Sequence, residues 1–150
     1  MLLSILHFHD LSIEQWHQIL MLRSKVFVVE QACIYADPDL HDKIACHVYA
    51  INSQGELVGT ARILPAKSRF EQLSIGRVVV KQQERNRGIA KEIMEKCHQY
   101  ILWNFGDTEV HISAQEHLRS FYEKLGYHPV NKVYMEDGIP HIEMKCLLKK

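Results

Sequence analysis

Apolar and polar residues recur along the chain with two different periods, and each period predicts its own kind of element. Between residues 141 and 148 the apolar and polar positions alternate one by one, which predicts a strand with one buried face. Residues 118–125 carry apolar side chains at i, i+3, i+4 and i+7, which predicts a short helix that Gly126 ends. The chain therefore mixes strands with amphipathic helices.

Two longer helical regions are predicted. Ser12 and Gln15 match a capping box, so a helix follows Ser12, and a second short helical piece covers 26–30. Another helix spans about 86–103, with Gly106 just past its end. The expected apolar face of the first helix comprises Ile13, Trp16, Ile19, Leu20 and Arg23. That of the later helix comprises Ile89, Ile93, Cys97 and either Tyr100 or Ile101.

The order of the elements predicts the fold class. Strands are expected at 2–8, 44–52, 56–64, 74–80 and 109–115, followed by a hairpin over 127–148. Residues 31–43 form the longest irregular stretch, and such loops often border binding sites. Three antiparallel strands and then a strand–helix–strand crossover predict an α+β fold, with a mixed, mostly antiparallel sheet flanked by helices. Residues 1–150 contain no repeat or linker and are predicted to form one domain.

Composition narrows the classes of function. Eighteen basic residues balance eighteen acidic ones, so no global field directs the protein to nucleic acid or to an anionic membrane. The four cysteines are scattered without a Cys-x-x-Cys pair, which argues against structural zinc and suits a reducing compartment. The N-terminus lacks the basic region of a signal peptide, so a cytoplasmic location is expected. His7 and His9 share a strand face without a third ligand, so no metal is expected.

The stretch from residue 72 to residue 91 carries the main chemical signal. A buried strand ends in a polar turn, and the turn enters a helix through Arg85-x-x-Gly88-x-Ala90. A helix N-terminus offers unpaired backbone N–H groups and a positive dipole end, which suit a phosphate or pyrophosphate. The glycine patterns of dinucleotide folds and Walker loops are absent. The alternative is a basic helix start that happens to contain a glycine.

This turn resembles the signature motif Arg/Gln-x-x-Gly-x-Gly/Ala of the GNAT superfamily of acetyl-CoA-dependent N-acetyltransferases, and the order of elements is similar over nearly the whole chain. More narrowly, the chain resembles the ElaA-like subgroup. The stretches that carry this resemblance are residues 22–31, 61–65, 74–80, 114–118 and 136–141.

The resemblance implies a site for CoA. Strand 74–80 is expected to splay from strand 110–115 and to pair its backbone with the pantetheine arm. Gly76 beside Arg77 fits a β-bulge that re-aims this strand. Backbone N–H groups of the turn would hold the pyrophosphate, and its two arginines would add charge-assisted bonds. The implied cofactor-binding residues are Val78, Val79, Val80, Arg85, Asn86, Arg87, Gly88, Ile89 and Ala90.

The resemblance also implies a catalytic acid. In the family a tyrosine at the position of Tyr122 commonly protonates the leaving thiolate, and a backbone N–H of Val79 or Val80 could polarise the thioester carbonyl. From periodicity alone, Tyr122 is equally a core aromatic on the helix face that includes Phe121 and Leu125. Both interpretations stay open for the sequence.

The base is less well defined, because strand 74–80 contains no carboxylate and Arg77 is its only charged residue. The remaining candidates are Glu30, Glu136, Asp137 and His141. Glu136 and Asp137 also fit a turn, and His141 also fits the wet face of a strand.

The acceptor contacts are expected among Arg23, Glu30, Arg77, Glu136 and His141. The alternative for Arg23 is a structural ion pair with Glu30. Arg62 is likewise expected either to contact the acceptor or to form an ion pair with Glu30.

The sequence therefore predicts an acetyl-CoA-dependent N-acetyltransferase that acts on the amine of a small molecule or protein. Two alternatives remain. One is a non-catalytic CoA-binding regulatory module, which the missing strand carboxylate favours. The other is an enzyme like the acyl-homoserine-lactone synthases, which carry a helix similar to residues 23–31 but are longer. The expected partners are CoA and an amine acceptor, and a homodimer is left open.

Overall fold

A computed structural model describes all residues from 1 to 150. The strands are β1 Leu2–His7, β2 Cys46–Ile51, β3 Leu57–Leu64, β4 Leu73–Val80, β5 Thr108–Gln115, β6 His128–Pro129, β7 Tyr134–Glu136 and β8 Ile139–Leu148. The α-helices are α1 Ile13–Arg23, α2 Ile89–Phe105 and α3 Arg119–Glu123, and a π-helix over Ser24–Glu30 continues α1. Short 3-10 helices cover Phe8–Asp10, Leu40–Ile44, Gln82–Glu84 and Glu116–Leu118.

The strands form one sheet in the order β1-β2-β3-β4-β5-β8-β6, and β7 also pairs with β8. All neighbouring strands are antiparallel except β4 and β5, which are parallel. The α2 helix makes the crossover between these two, as a parallel connection requires. The predicted α+β class with a mixed, mostly antiparallel sheet is confirmed.

The pairing between β4 and β5 is short. It is limited to Leu73 opposite Val110 and Ser74 opposite His111, so the two strands separate beyond these residues. A bulge accompanies the separation, because β4 has two residues where β3 has one between their flanking pairs. Arg77 lies in this bulge with φ of 51°, in the left-handed region. The predicted bulge beside Gly76 is therefore confirmed, and it opens a gap through the sheet.

The main core lies between the sheet and α2. The predicted stripe of α2 is confirmed, since Ile93, Cys97 and Ile101 are fully buried against the apolar face of the central strands. Gly59 on β3 permits this close packing, because a Cβ at this position would lie 2.6 Å from Cδ1 of Ile93 and 3.2 Å from the carbonyl oxygen of Val79. The helix thus rests directly on the β3 and β4 backbones.

The α2 helix begins later than predicted. Asn86 and Gly88 adopt left-handed backbone angles, with φ of 65° and 79°, and the helix starts only at Ile89. The predicted stop is confirmed, since Gly106 ends the helix with φ of 73°. Residues 86–88 therefore belong to the turn, and the helix does not align their N–H groups along its axis.

The α1 helix covers the opposite face of the sheet. Its capping box is present, with reciprocal bonds between Ser12 and Gln15. The predicted apolar face is wrong at Ile13, which is the first residue of α1 and is 92% exposed. Ile19 and Leu22 are the apolar residues that α1 buries. None of the helices has the length and apolar content that a membrane span requires.

A buried network of ions fixes the irregular stretch after the π-helix. The carboxylate of Asp42 accepts bonds from Arg23 at 2.8 Å and from Arg62 at 2.9 Å. Asp37 accepts from Nε of Arg23 at 2.8 Å, and Asp39 holds Arg62 through two bonds. Both arginines are only 1% exposed, so each needs such partners in place of water. The network ties α1, the loop and β3 together.

Candidate active site

A cleft of about 810 Å³ occupies the gap between β4 and β5. The two strands and the start of α2 supply one part of its wall, and the π-helix with the following loop supplies another. The β7–β8 hairpin and α3 complete it. The loop at 31–43, expected to border a binding site, does contribute to this wall. Most of the residues predicted for binding or catalysis are thereby brought to one place.

The turn before α2 presents a row of free donors to this cleft. The backbone N–H groups from Asn86 to Lys91 donate to no other group of the protein. Gly88 has φ of 79°, and a Cβ on it would meet nothing within 4 Å, so the space above the turn is open. Consecutive free N–H groups at the positive end of a 17-residue helix suit an anion. The geometry suits a phosphate or pyrophosphate.

The two arginines of the turn are both held by glutamates. Arg85 donates from Nη1 to Glu30 at 2.7 Å and from Nε to the Val80 carbonyl at 3.1 Å. Arg87 donates to Glu84 at 2.8 Å, is 65% exposed, and lies outside the cleft wall. Arg85 therefore faces the cleft, whereas Arg87 faces solvent.

The edge of β4 toward β5 has no strand partner beyond Ser74. Val78, Val79 and Val80 lie on this stretch and line the cleft. On its other side β4 remains paired with β3, which holds the edge in an extended conformation. An extended ligand segment can pair with such an edge as an additional strand.

Tyr122 is both a core residue and a cleft residue. It belongs to the main core at 7% exposure, and its ring makes edge-on contacts with Phe121 and Tyr127. Its hydroxyl has no partner in the protein and is not sealed from the cleft. Burial, and next the nearby thiol of Cys97, raise the pKa of Tyr122 well above its ordinary value. The phenol is therefore protonated at neutral pH, as a proton donor must be.

Polar side chains line the other face of the sheet, opposite the core. Residues of β5 and β8 alternate, so Ile112 and Ile142 enter the core while Ser113 and His141 face the cleft. Glu136 on β7 joins them, since its carboxylate contacts Ser113 and His141, each at 3.3 Å. The predicted acceptor residues Glu136 and His141 are thus neighbours.

Three other predicted acceptor residues have different surroundings. Arg77 lines the cleft, and its guanidinium is 2.8 Å from Asp37 and 3.4 Å from Asp39. Glu30 also lines the cleft, but at the donor turn, where it binds Arg85.

The position of Arg23 corrects the prediction that it contacts the acceptor. It lies outside the cleft wall and is 1% exposed, because Asp37 and Asp42 hold it beneath the loop. The alternative pairing of Arg23 with Glu30 is wrong as well. Arg62 lines the cleft but is bound by Asp39 and Asp42, so its pairing with Glu30 is also wrong.

Sequence reasoning missed several residues of the cleft wall. Arg69 binds Glu136 through a salt bridge, and Gln31 joins Gln115 across the cleft at 3.2 Å. Ser113 could have been found, since it alternates with apolar residues along β5. Arg69 carried no such signal, because it lies in the irregular connection between β3 and β4.

Comparison with known proteins agrees with this geometry. The family model described as an acetyltransferase (GNAT) domain matches residues 26–148. Protein ElaA of Escherichia coli K12 is 40% identical over 140 residues, which cover 93% of this chain and 92% of ElaA. The crystal structure of Escherichia coli ElaA matches with a TM-score of 0.89 at 38% identity, covering 97% of this chain and 98% of that one. An acyl-CoA N-acyltransferase from Pseudomonas aeruginosa matches with a TM-score of 0.89 at 36% identity, covering 97% and 99%. The chain therefore belongs to the GNAT family of N-acetyltransferase enzymes and, within it, to the ElaA-like subgroup.

Proposed function

We propose that the protein transfers an acetyl group from acetyl-CoA to an amine, by direct attack of the amine on the thioester. The observation that carries this proposal is the continuity of the cleft. Free N–H groups at the start of α2, the unpaired edge of β4 and the open hydroxyl of Tyr122 all border the same space. A CoA thioester requires three features along its length: an anion-binding turn for the pyrophosphate, an extended edge for the pantetheine arm and a proton donor for the leaving thiolate.

The donor would lie along the cleft from the turn to the gap. Its pyrophosphate would accept bonds from the N–H groups of residues 86–90, with Arg85 adding charge. Its pantetheine arm would pair with the β4 edge at Val78 and Val80. The N–H of Val79 or Val80 would then polarise the thioester carbonyl, where negative charge develops during attack. CoA acts here as a cosubstrate that brings the acetyl group.

The chemistry would need one proton donor on the side of the leaving group. As the amine nitrogen bonds to the carbonyl carbon, the C–S bond breaks and the thiolate takes the proton of the Tyr122 hydroxyl. The nitrogen of the new amide gives up its extra proton and so restores the phenol. The raised pKa of Tyr122 matches this cycle, because a buried phenolate recovers its proton readily.

The first experiment tests the donor site by CoA-dependent thermal stabilisation. Gly88→Glu places bulk and negative charge among the free N–H groups, and we expect it to abolish the stabilisation. Gly55→Glu is a matched control, since Gly55 has the same φ of 79° and open surroundings but lies in the β2–β3 turn. Both variants carry equal backbone strain, and only the first should lose CoA binding. Equal stabilisation of both would remove the site assignment.

The second experiment measures thiol release from acetyl-CoA with a panel of alkylamines: cadaverine, spermidine, phenethylamine and lysine. Turnover with any of them supports the enzyme. CoA binding without turnover on this panel or on peptides would favour the non-catalytic module. Turnover only with longer acyl-CoA thioesters would favour an enzyme like the acyl-homoserine-lactone synthases. Composition predicts a cytoplasmic location and no nucleic-acid or membrane partner, and these stay predictions.

A further inference from the structure

His141 on β8 is held in one tautomer by the β7–β8 hairpin. Its Nδ1 lies 2.7 Å from the carbonyl oxygen of Ile139. A carbonyl oxygen only accepts, so Nδ1 carries the hydrogen and the neutral ring keeps its lone pair on Nε2. The residue lines the cleft at 8% exposure, and the one charged group that Nε2 contacts is the carboxylate of Glu136 at 3.3 Å. Nε2 is therefore the atom of the ring that can take up a proton.

Glu136 lies beside this base and is itself held in place. One carboxylate oxygen forms a salt bridge with Arg69, and the other lies 3.3 Å from Nε2 of His141 and 3.3 Å from the Ser113 hydroxyl. The ring of Tyr134 stacks on His141 at 6.1 Å between centroids. Gln115, opposite His141 on β5, carries no charge. The neighbours of the imidazole thus include one carboxylate, one aromatic ring and one neutral amide.

The other groups of the cleft wall that could act as a base are either bound to arginines or not held in one orientation. Glu30, a predicted candidate, is bound to Arg85, and Asp39 is bound to Arg62 and Arg77. Asp137 lines the cleft from the exposed hairpin turn with φ of 50°, and its carboxylate has no ion pair. His41 and His117 also line the cleft, but no hydrogen bond fixes either ring. His141 is distinguished from them because the hairpin fixes its ring.

We propose that His141 is the general base that deprotonates the acceptor amine, and that Glu136 is its positioning residue. The assignment rests on the proposed acetyl transfer. His141 alternates along β8 with Ile142, which shares the core with Tyr122, so base and acid lie on opposite faces of the sheet. The gap between β4 and β5 connects the two faces. The amine enters from the side of His141, and the thiolate leaves toward Tyr122.

The proton transfers balance. An alkylammonium gives one proton to Nε2 of His141, and the neutral amine then attacks the thioester carbonyl carbon. The imidazolium is a buried cation, and the carboxylate of Glu136 at 3.3 Å compensates its charge. After amide formation the imidazolium releases this proton to solvent. The acceptor class is therefore an alkylamine that is protonated in solution, because an amine that is already neutral does not require this step.

The kinetic experiment compares His141→Gln with His111→Gln. His111 is a matched control, since it lies on the same sheet face at 6% exposure and binds Glu143 at 2.8 Å, but it is outside the cleft wall. With the alkylamine that wild type acetylates best, we expect His141→Gln to lose roughly 10²-fold in kcat/KM. With hydroxylamine, which is neutral near pH 7, the loss should be small. His111→Gln should match wild type with both amines.

A second measurement does not depend on the acceptor. Nitrogen NMR of the imidazoles should show His141 with hydrogen on Nδ1 and none on Nε2, and Glu136→Gln should change the Nε2 signal of His141 without changing CoA binding. An Nε2–H tautomer, or equal losses of His141→Gln with both amines, would overturn the assignment of the base. If wild type acetylates no amine of the panel, the proposed function fails first, and the assignment falls with it.

Discussion

The guanidinium of Arg85 lies 2.7 Å from the carboxylate of Glu30, so the turn before α2 is tied to the end of the π-helix. Both side chains are about one-third exposed, and both border the cleft. The same arginine is the cation of the turn that faces the proposed pyrophosphate. A bound pyrophosphate and Glu30 would therefore compete for one guanidinium. The residue after Glu30 is Gln31, which contacts Gln115 across the cleft.

We expect Glu30→Gln to bind CoA more tightly than wild type. The substitution removes the negative charge that offsets Arg85 and keeps a similar shape. Partly exposed ion pairs contribute about 0.2–1 kcal/mol, which corresponds to at most about a fivefold fall in the Kd for CoA. Isothermal titration with CoA measures this.

Glu56→Gln provides the comparison for this prediction. It removes the partner of Lys81, and neither residue lies in the cleft wall, so the Kd for CoA should change less. Unchanged or weaker binding in Glu30→Gln would show that the carboxylate orients Arg85 for the donor and does not compete with it.

The donor turn could be predicted from the sequence because its signal is local. Arg85, Gly88 and Ala90 lie within six residues, and the strand before them and the helix after them each have a clear period. The predicted start of the helix, Asn86, lies three residues before the observed start at Ile89. The helix cannot include Asn86 because its backbone angles lie in the left-handed region. The residue type does not reveal this, because Asn adopts both left-handed and right-handed conformations.

The predicted catalytic role of Tyr122 depends on its hydroxyl oxygen, whereas its packing depends on the aromatic ring. Its hydroxyl has no protein partner, so Tyr122→Phe should keep the free energy of unfolding and the Kd for CoA while kcat falls by roughly 10²-fold. Thiol-release kinetics and thermal unfolding measure the two effects.

Tyr127→Phe is the opposite case. The Tyr127 hydroxyl bonds Nε2 of His98 at 2.8 Å and lies outside the cleft wall. Its loss should cost about 1 kcal/mol of stability and leave turnover unchanged. If Tyr122→Phe turns over as fast as wild type, Tyr122 is a core aromatic alone.

The acceptor side was only partly predictable. Alternation along β8 indicated that His141 and Ile142 face opposite ways, but the choice of neighbours depends on the register with β5 and on where the β7–β8 hairpin folds back. The ionic network was not predictable at all, because its arginines and aspartates come from α1, the loop and β3. The prediction that Arg23 contacts the acceptor is wrong for this reason, since a charge on an apolar helix face does not identify the residue that pairs with it.

This network makes stability depend on pH through Asp42. Burial raises the pKa of its carboxyl, but the hydrogen bond and charge of Arg23 outweigh burial and bring the pKa to about 2. The pKa of an unfolded aspartate is about 3.9, so protons bind more tightly to the unfolded chain. Asp42 therefore contributes stability that is fully present above about pH 5 and is lost as the pH falls toward about 2.

We expect the urea midpoint of wild type to fall as the pH is lowered through this window. Asp42→Asn should be less stable at pH 7, because it leaves Arg23 and Arg62 without part of their compensation, and its midpoint should depend less on pH. Asp10→Asn changes an exposed carboxylate that forms no ion pair, and it should follow the wild-type curve. Parallel acid limbs for wild type and Asp42→Asn would contradict the prediction, because the protonation of Asp42 would then contribute nothing to acid unfolding.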